Sequence, residues 1–332
     1  MQEQFFKHLK TKSPDNISFV EEIASVLDIG YDAAYRRVNL KTNLSLEESV
    51  ILARHYKVSL NNLFEVGNQN TIVTELPPQP KDIIAMEQWL KTSLMNVQAI
   101  SKVKGSEMLY SAKDIPLFHT LNDSHLTRYK MYVWLKDINE EMAQSKITFD
   151  DWKDTIPESL LQTAFDLANV YKHINITAIW NETTLTGTLQ QVLYYFETGL
   201  VSKTMALKIC QDISNVIDRV EQQTIQQSLT GANSNIYYHL YRCDLHTLHN
   251  TIMVSSKYGK VFFQPFTVLS YFKVDHPKTC EMMYDFFQKM MRNSKLLANA
   301  GERDRTLFFN KIHKKIEITK ERIRIVDGMS FV

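Results

Sequence analysis

Six side chains in one short stretch carry the most suggestive chemistry of the chain: Tyr31, Asp32, Tyr35, Arg36, Arg37 and, just beyond, Lys41. Helical periodicity turns Ala34 and Val38 inward and leaves Tyr31, Asp32, Tyr35, Arg36 and Arg37 outside. Arginine pairs bidentately with guanine in the major groove, and both arginine and lysine hold phosphate. Arg36, Arg37 and Lys41 cluster at the end of the helix, so the chemistry implied is nucleic-acid contact.

Other groupings carry less. Cys243, His246 and His249, with His276 and Cys280 one helical turn apart, are metal-ligating residue types, but no CxxC or HExxH spacing accompanies them, and no metal site is expected. The nine glycines are nowhere adjacent, which excludes a phosphate-cradling loop and with it Rossmann and P-loop chemistry. Ala300-Gly301 is the dipeptide that self-cleaving repressors cut, yet too few residues follow for the catalytic β-domain such cleavage needs. Lys311, Lys314, Lys315, Lys320, Arg322 and Arg324 are interspersed with Glu317 and Glu321, the pattern of a solvated amphipathic face. Tyr237, Tyr238, Tyr241, Phe262, Phe263 and Phe266 are candidates to line a ligand pocket, although aromatics on a sheet more often form its core. No nucleophile–base pair, paired-carboxylate motif or metal spacing supports an enzyme, and no cofactor is expected.

The elements that must position the first cluster are a helix pair. Ile23, Ala24 and Leu27 give one helix an apolar face, and Asp28-Ile29-Gly30 breaks its period, with Gly30 suited to a sharp turn. The second helix carries the outward side chains. Next, Ser45 and Glu48 form a capping box for a helix with Leu46, Val50, Ile51, Ala53 and Tyr56 inward. Val58-Ser59-Leu60-Asn61-Asn62-Leu63-Phe64 begins one more.

On these residues the chain resembles the Cro/phage-repressor-like (XRE) helix-turn-helix family. The resemblance rests on Ile23-Ala24, Ile29-Gly30, Ala34 to Val38, Leu44 to Glu48, Leu52-Ala53 and Val58 to Phe64, and spans residues 3–66. Where the family usually has glycine at the turn this chain has Asp28, with Gly30 close by. The resemblance implies a DNA reader whose second helix enters the major groove, with double-stranded DNA as partner. Residues 1–66 carry eight Lys and Arg against nine Asp and Glu, so counterion release alone gives weak attraction.

Composition is that of a soluble globular protein of two or three domains: 332 residues, 44% hydrophobic, 23% charged, net charge +1. No apolar stretch reaches the roughly 18 residues of a membrane helix. The three distant cysteines, Cys210, Cys243 and Cys280, read as reduced thiols of a cytoplasmic protein. Residues 67–82, with Pro77, Pro78 and Pro80, read as a linker.

Beyond it, Ile83, Met86, Leu90, Leu94, Val97 and Ile100 mark a helix, residues 107–111 a short β-like run, and 123–141, 157–173 and 183–198 further helices. Residues 202–228 form a long one whose stripe Ala206, Ile209, Ile213, Val216 and Val220 either lies against its own domain or pairs with a second copy in a homodimer. Strands are expected over 236–242, 250–255 and 260–273, with a hairpin turn at Tyr258-Gly259. Helices follow from Asp275 to Arg292 and over 302–318. The expected fold is mostly α with a small antiparallel β-sheet: an all-α N-terminal domain (1–66), the linker, and a helical then α+β domain (83–332) that senses or dimerises. The expected function is a one-component transcriptional regulator, with a homodimer and a small-molecule effector as partners and no membrane. The alternatives are a helical interaction scaffold, or an enzyme of unknown class with an N-terminal recruiting module.

Overall fold

A computed structural model describes residues 1–13, 18–64, 72, 74, 76–232, 235–298 and 302–326. The chain divides into two compact units, Met1–Thr74 and Glu75–Val332. Part of the expected linker (67–71, 73 and 75) and the Ala300-Gly301 dipeptide lie outside the described residues.

The first unit is helical: α1 (Gln2–Lys10), α2 (Phe19–Leu27), α3 (Tyr31–Val38), α4 (Leu46–His55) and α5 (Leu60–Phe64). Its core gathers Phe5, Phe6 and Leu9 of α1, Ile23 of α2, Ala34 of α3 and Leu52 and Ala53 of α4. The Ser45–Glu48 capping box is present, with both reciprocal hydrogen bonds formed. The buried face of α4 differs from expectation. Leu46 is 79% exposed and Ile51 is exposed too, while Leu52 takes the core position. Leu46 is the first residue of the helix, and the buried phase runs through Leu52, Ala53 and Tyr56.

The turn between α2 and α3 also corrects expectation. Gly30 takes an ordinary extended conformation (φ −66°, ψ 153°) as the N-cap of α3. The left-handed residue is Asp28 (φ 53°, ψ 48°), which closes α2. Aspartate is one of the few residue types that enter this region at modest cost.

The second unit is mixed α+β. Its elements are α6 (Ile83–Ser101), β1 (Glu107–Ser111), α7 (Leu117–Thr120), α8 (His125–Ile138), α9 (Glu140–Gln144), α10 (Phe149–Trp152), α11 (Glu158–Tyr171), β2 (Asn175–Trp180), α12 (Thr186–Glu197), α13 (Lys203–Gln226), β3 (Tyr238–Arg242), β4 (Thr251–Ser256), β5 (Gly259–Thr267), β6 (Ser270–Val274), α14 (Pro277–Arg292), β7 (Lys295–Leu296) and α15 (Glu302–Val326). All seven strands join one sheet, in the order β6-β5-β4-β1-β2-β3-β7. The pairs β1–β2 and β2–β3 are parallel and the others antiparallel.

The expected small antiparallel sheet is therefore only part of a larger mixed one. β2 is buried along nearly its whole length, and its sequence, Asn175 to Trp180, lacks the sustained apolar–polar alternation that marks a half-exposed strand. The expected strand 260–273 is two strands, β5 and β6, with Thr267 opposite Ser270 and a two-residue turn between them. The turn before β5 falls at Lys257-Tyr258, and Gly259 opens the strand with φ 126°. His276, not Asp275, caps α14.

The stripe Ala206, Ile209, Ile213, Val216 and Val220 of α13 is buried within the chain, where α13 packs on α15 and α8. Burying each branched side chain contributes about 1.5–3 kcal/mol, so the stripe is core and offers no seam to a second copy.

At the C-terminal end of β1 a polar knot crosses this core. Lys130 Nζ of α8 donates to Asp114 Oδ2 (2.7 Å) and to Thr188 Oγ1 of α12 (2.5 Å), and Thr188 Oγ1 donates to Asp114 Oδ1 (2.6 Å). Lys130 is buried and Asp114 partly open.

Three stability outcomes follow. Asp28→Gly relieves the left-handed strain and removes a carboxylate from a helix C-terminus, so slowed amide exchange in α2 and α4 should report a gain of about 1 kcal/mol. Gly30→Ser should be harmless, because nothing lies within 4 Å of an added Cβ there. Lys130→Met strands Asp114 and Thr188. It should lower the urea stability of the second unit by about 2–3 kcal/mol, below the fully buried case because Asp114 is partly solvated.

Candidate functional site

On α3 the small Ala34 is fully buried and holds the helix against the first unit's core, so its other side is open. Tyr31 (52% exposed) and Tyr35 (43% exposed) stack with ring centroids 6.4 Å apart. Lys41 Nζ lies 5.8 Å from the Tyr35 ring centre. Asp32, Arg36 and Lys41 are exposed. Five of the six expected residues thus share an open, partly cationic surface built around a flat aromatic pair.

Arg37 is different. Its Nε and Nη2 donate to Glu48 Oε2 (3.0 Å) and Oε1 (2.7 Å), and Nη1 donates to the Ala33 carbonyl (3.1 Å). Both partners are 19% exposed. Glu48 meanwhile caps α4, accepting from the Ser45 N–H. The Arg37 hydrogen bond, aided by the Ser45 N–H, holds the Glu48 carboxyl below its ordinary range against the opposing effect of burial. Each of the three guanidinium nitrogens therefore donates within the fold. Gln2 completes this side: its Nε2 donates to the carbonyls of Arg37 and Thr42 (both 2.9 Å) and its Oε1 accepts from Leu44 N–H (3.0 Å).

The second unit separates the other candidates. Cys243 and His246 approach each other (Sγ to Nδ1 3.5 Å), whereas Cys280 is buried elsewhere with its thiol directed at the Val274 carbonyl. Burial pushes the Cys280 thiol up to about 11. Among the described residues no three His, Cys, Asp or Glu side chains converge as a metal site. The basic stretch of α15 is largely paired: Lys311 with Glu182 (2.6 Å), Lys315 with the Glu182 carbonyl, Lys320 with Glu317 (2.7 Å) and Arg322 with Glu197 (3.3 Å). The aromatic strand residues do not converge either. Tyr238 and Phe262 are core, while Phe266 is exposed and packs on Phe272.

Concavity lies elsewhere. One groove of about 520 Å³ runs between Ile100 of α6, Val103 just beyond that helix, Val254 and Val261 of the sheet, and Cys280 of α14. A second cavity, of about 350 Å³, is lined by Phe118, His119, Asn122, Phe165, Arg219 and Gln223 among others. Its residues come from α7, α11, α13 and adjoining loops, with no local pattern to reveal them in the sequence. His119 is buried in its wall, its Nε2 3.1 Å from Tyr238 Oη.

Comparison with protein-family models, with curated proteins and with solved structures finds no match to this chain. Among the described residues no helix is long and apolar enough to cross a membrane.

His119 yields a pH outcome. Burial, reinforced by the Arg219 charge, holds its imidazole well below the usual range. The folded state therefore binds fewer protons than the unfolded one, and this contribution is full above about pH 6.5 and lost as pH falls, at up to about 1.4 kcal/mol per unit. Asp137 and Glu221, raised by burial, act in the opposite sense. The check is thus the difference between wild type and His119→Gln: urea midpoints taken from neutral to mildly acidic pH should fall less steeply in the variant.

Proposed function

We propose that the protein is a sequence-specific DNA-binding transcriptional regulator: the first unit is a helix-turn-helix reader, and the larger unit senses a ligand or assembles copies. The observation that carries this is the outward face of α3. Ala34 anchors the helix from behind, while Tyr31, Asp32, Tyr35, Arg36 and Lys41 stand open on the other side. A short, well-anchored helix with an open aromatic and cationic face suits insertion into the major groove, where side chains reach base edges and phosphates. The resemblance of residues 3–66 to the XRE family supports the same reading.

Within this proposal the roles divide. Arg36 is the base-reading candidate, Tyr31, Tyr35 and Lys41 contact backbone or base edges, and Arg37 holds α3 to α4. A single reader touches few base pairs, so two copies on half-sites about one helical turn apart supply the remaining specificity. With the α13 stripe internal, such pairing uses another surface. The role is one of binding, without catalysis.

The test is selection of bound duplexes from a random pool with the full chain. Wild type should enrich a motif whose affinity falls with salt. Arg36→Ala should flatten one position by about 1–3 kcal/mol while the stability of the first unit holds. Arg37→Ala should instead loosen α3 and α4, seen as faster amide exchange, and weaken all sequences alike. Enrichment of no motif, together with binding that ignores salt, would overturn the reader and favour the interaction scaffold.

A further inference from the structure

The larger unit holds a cavity whose polar groups are not all used by the fold. We propose that the cavity bounded by α7, α11 and α13 binds a small organic carboxylate that carries an apolar body and a hydroxyl or amine donor. This deepens the sensing role given above to the larger unit, but it concerns ligand binding by the protein alone and stands whether or not DNA is bound.

Arg219 supplies the anion-binding group. Its Nη2 donates to the His119 carbonyl (2.6 Å), and with the Asn122 amide turned to accept, Nη1 and Nη2 reach its oxygen at 3.3 and 3.2 Å. Both acceptors are neutral. The Asp123 carboxylate at the rim is engaged by Arg128 (2.7 Å). Burial alone lowers the Arg219 guanidinium from its usual range, with no anion compensating. A partly buried cation held only by neutral oxygens retains a net charge that an incoming carboxylate satisfies.

Gln223 is the second, independent observation. It is 5% exposed and lines the cavity, its Nε2 donates to Thr230 Oγ1 (3.2 Å), and its Oε1 has no hydrogen-bond partner. An unpaired acceptor buried beside a cavity is costly for the protein alone, and a turn of the Gln223 side chain brings it to an O–H or N–H on a ligand. Phe118, Leu121, Phe165 and Leu229 provide the apolar remainder. The volume of about 350 Å³ is at the small end for organic ligands.

Lys172 also lines the cavity, its Nζ donating to the neutral Asn169 Oδ1 (2.8 Å), so its ammonium adds a second positive charge at the rim. One feature favours a carboxylate over a phosphate: the cavity lies toward the C-terminal ends of α11 and α13, whose partial negative charge penalises a dianion more than a monoanion.

The experiment is calorimetric titration of the full chain with three probes at millimolar concentration. Phenyllactate has the carboxylate, the donor and the apolar body; phenylpropionate lacks the donor; lactate lacks the body. Phenyllactate should bind, phenylpropionate roughly fivefold more weakly, and lactate more weakly still. Gln223→Leu removes a buried unsatisfied group, so it should fold at least as well as wild type and abolish the difference between phenyllactate and phenylpropionate. Arg219→Met should weaken phenyllactate about tenfold or more. Since Arg219 also ties α7 to α13, circular dichroism accompanies it, and the Gln223 variant decides if Arg219→Met unfolds. No phenyllactate binding to wild type, or binding whose preference for the hydroxyl survives Gln223→Leu, would overturn the site while leaving the DNA-reading proposal untouched.

Discussion

A buried ammonium ties the centre of the larger unit together. Lys130 sits inside an apolar core, and a charge there is tolerable only with oxygen partners in good geometry. Those partners, Asp114 and Thr188, come from the segment after β1 and from α12, and they bond to each other as well as to Lys130. Asn250, which enters the left-handed region at φ 58°, extends the link: its Oδ1 accepts from the backbone N–H groups of Lys113 and Asp114. The end of β1, two crossover helices and the entry to β4 are thereby drawn to one point. β1 is the strand where the parallel half of the sheet meets the antiparallel half, so this point fixes their junction.

A parallel economy governs the first unit, where Glu48 does two jobs with one carboxylate. It completes the N-terminal cap of α4 and clamps Arg37 of α3. The two helices consequently hold a fixed relation through a charge-assisted, bidentate contact, more directional than apolar packing alone. The consequence for the proposed reading face is subtractive. Of two adjacent arginines, one serves the scaffold and one faces solvent, and sequence adjacency gives no hint of that division.

What the sequence disclosed follows the physics of its signals. Ser45 and Glu48 were legible because a capping box is local, and α6 and α13 because a one-sided helix leaves a period of three and four. β2 was not: it is buried along nearly its whole length, Thr177 included, so its short mixed sequence shows no sustained alternation. The break between β5 and β6 was hidden because it falls at Val268-Leu269, where Leu269 takes φ 55° and neither residue signals a turn. Asp28 and Gly30 show how composition misleads, since glycine adopts a conformation open to any residue while aspartate takes the restricted one. The exposure of Tyr31, Asp32, Tyr35, Arg36 and Lys41 was legible, with the clamped Arg37 the exception. The cavity was illegible, because Asn122, Arg219 and Gln223 meet only after the chain has folded.

If the cavity and the α3 face belong to one regulatory device, thermodynamics restricts how they communicate. A ligand shifts DNA affinity only by favouring one arrangement of the protein over another, and DNA must shift ligand affinity by the same factor. The covalent route open to such a bias is the segment joining the two units. On the side of the larger unit its end is anchored: Pro80 is buried, the Lys81 carbonyl accepts from Asn139 (3.1 Å), and Asp82 caps α6 through the Ala85 N–H (2.7 Å). α6 packs along α11, and α11 supplies Phe165 and Ala168 to the cavity wall. A continuous path of packed helices thus leads from the cavity to the anchored end of the connecting segment. Any displacement of α11 by a bound carboxylate reaches that segment through two rigid helices and one cap, without crossing the sheet.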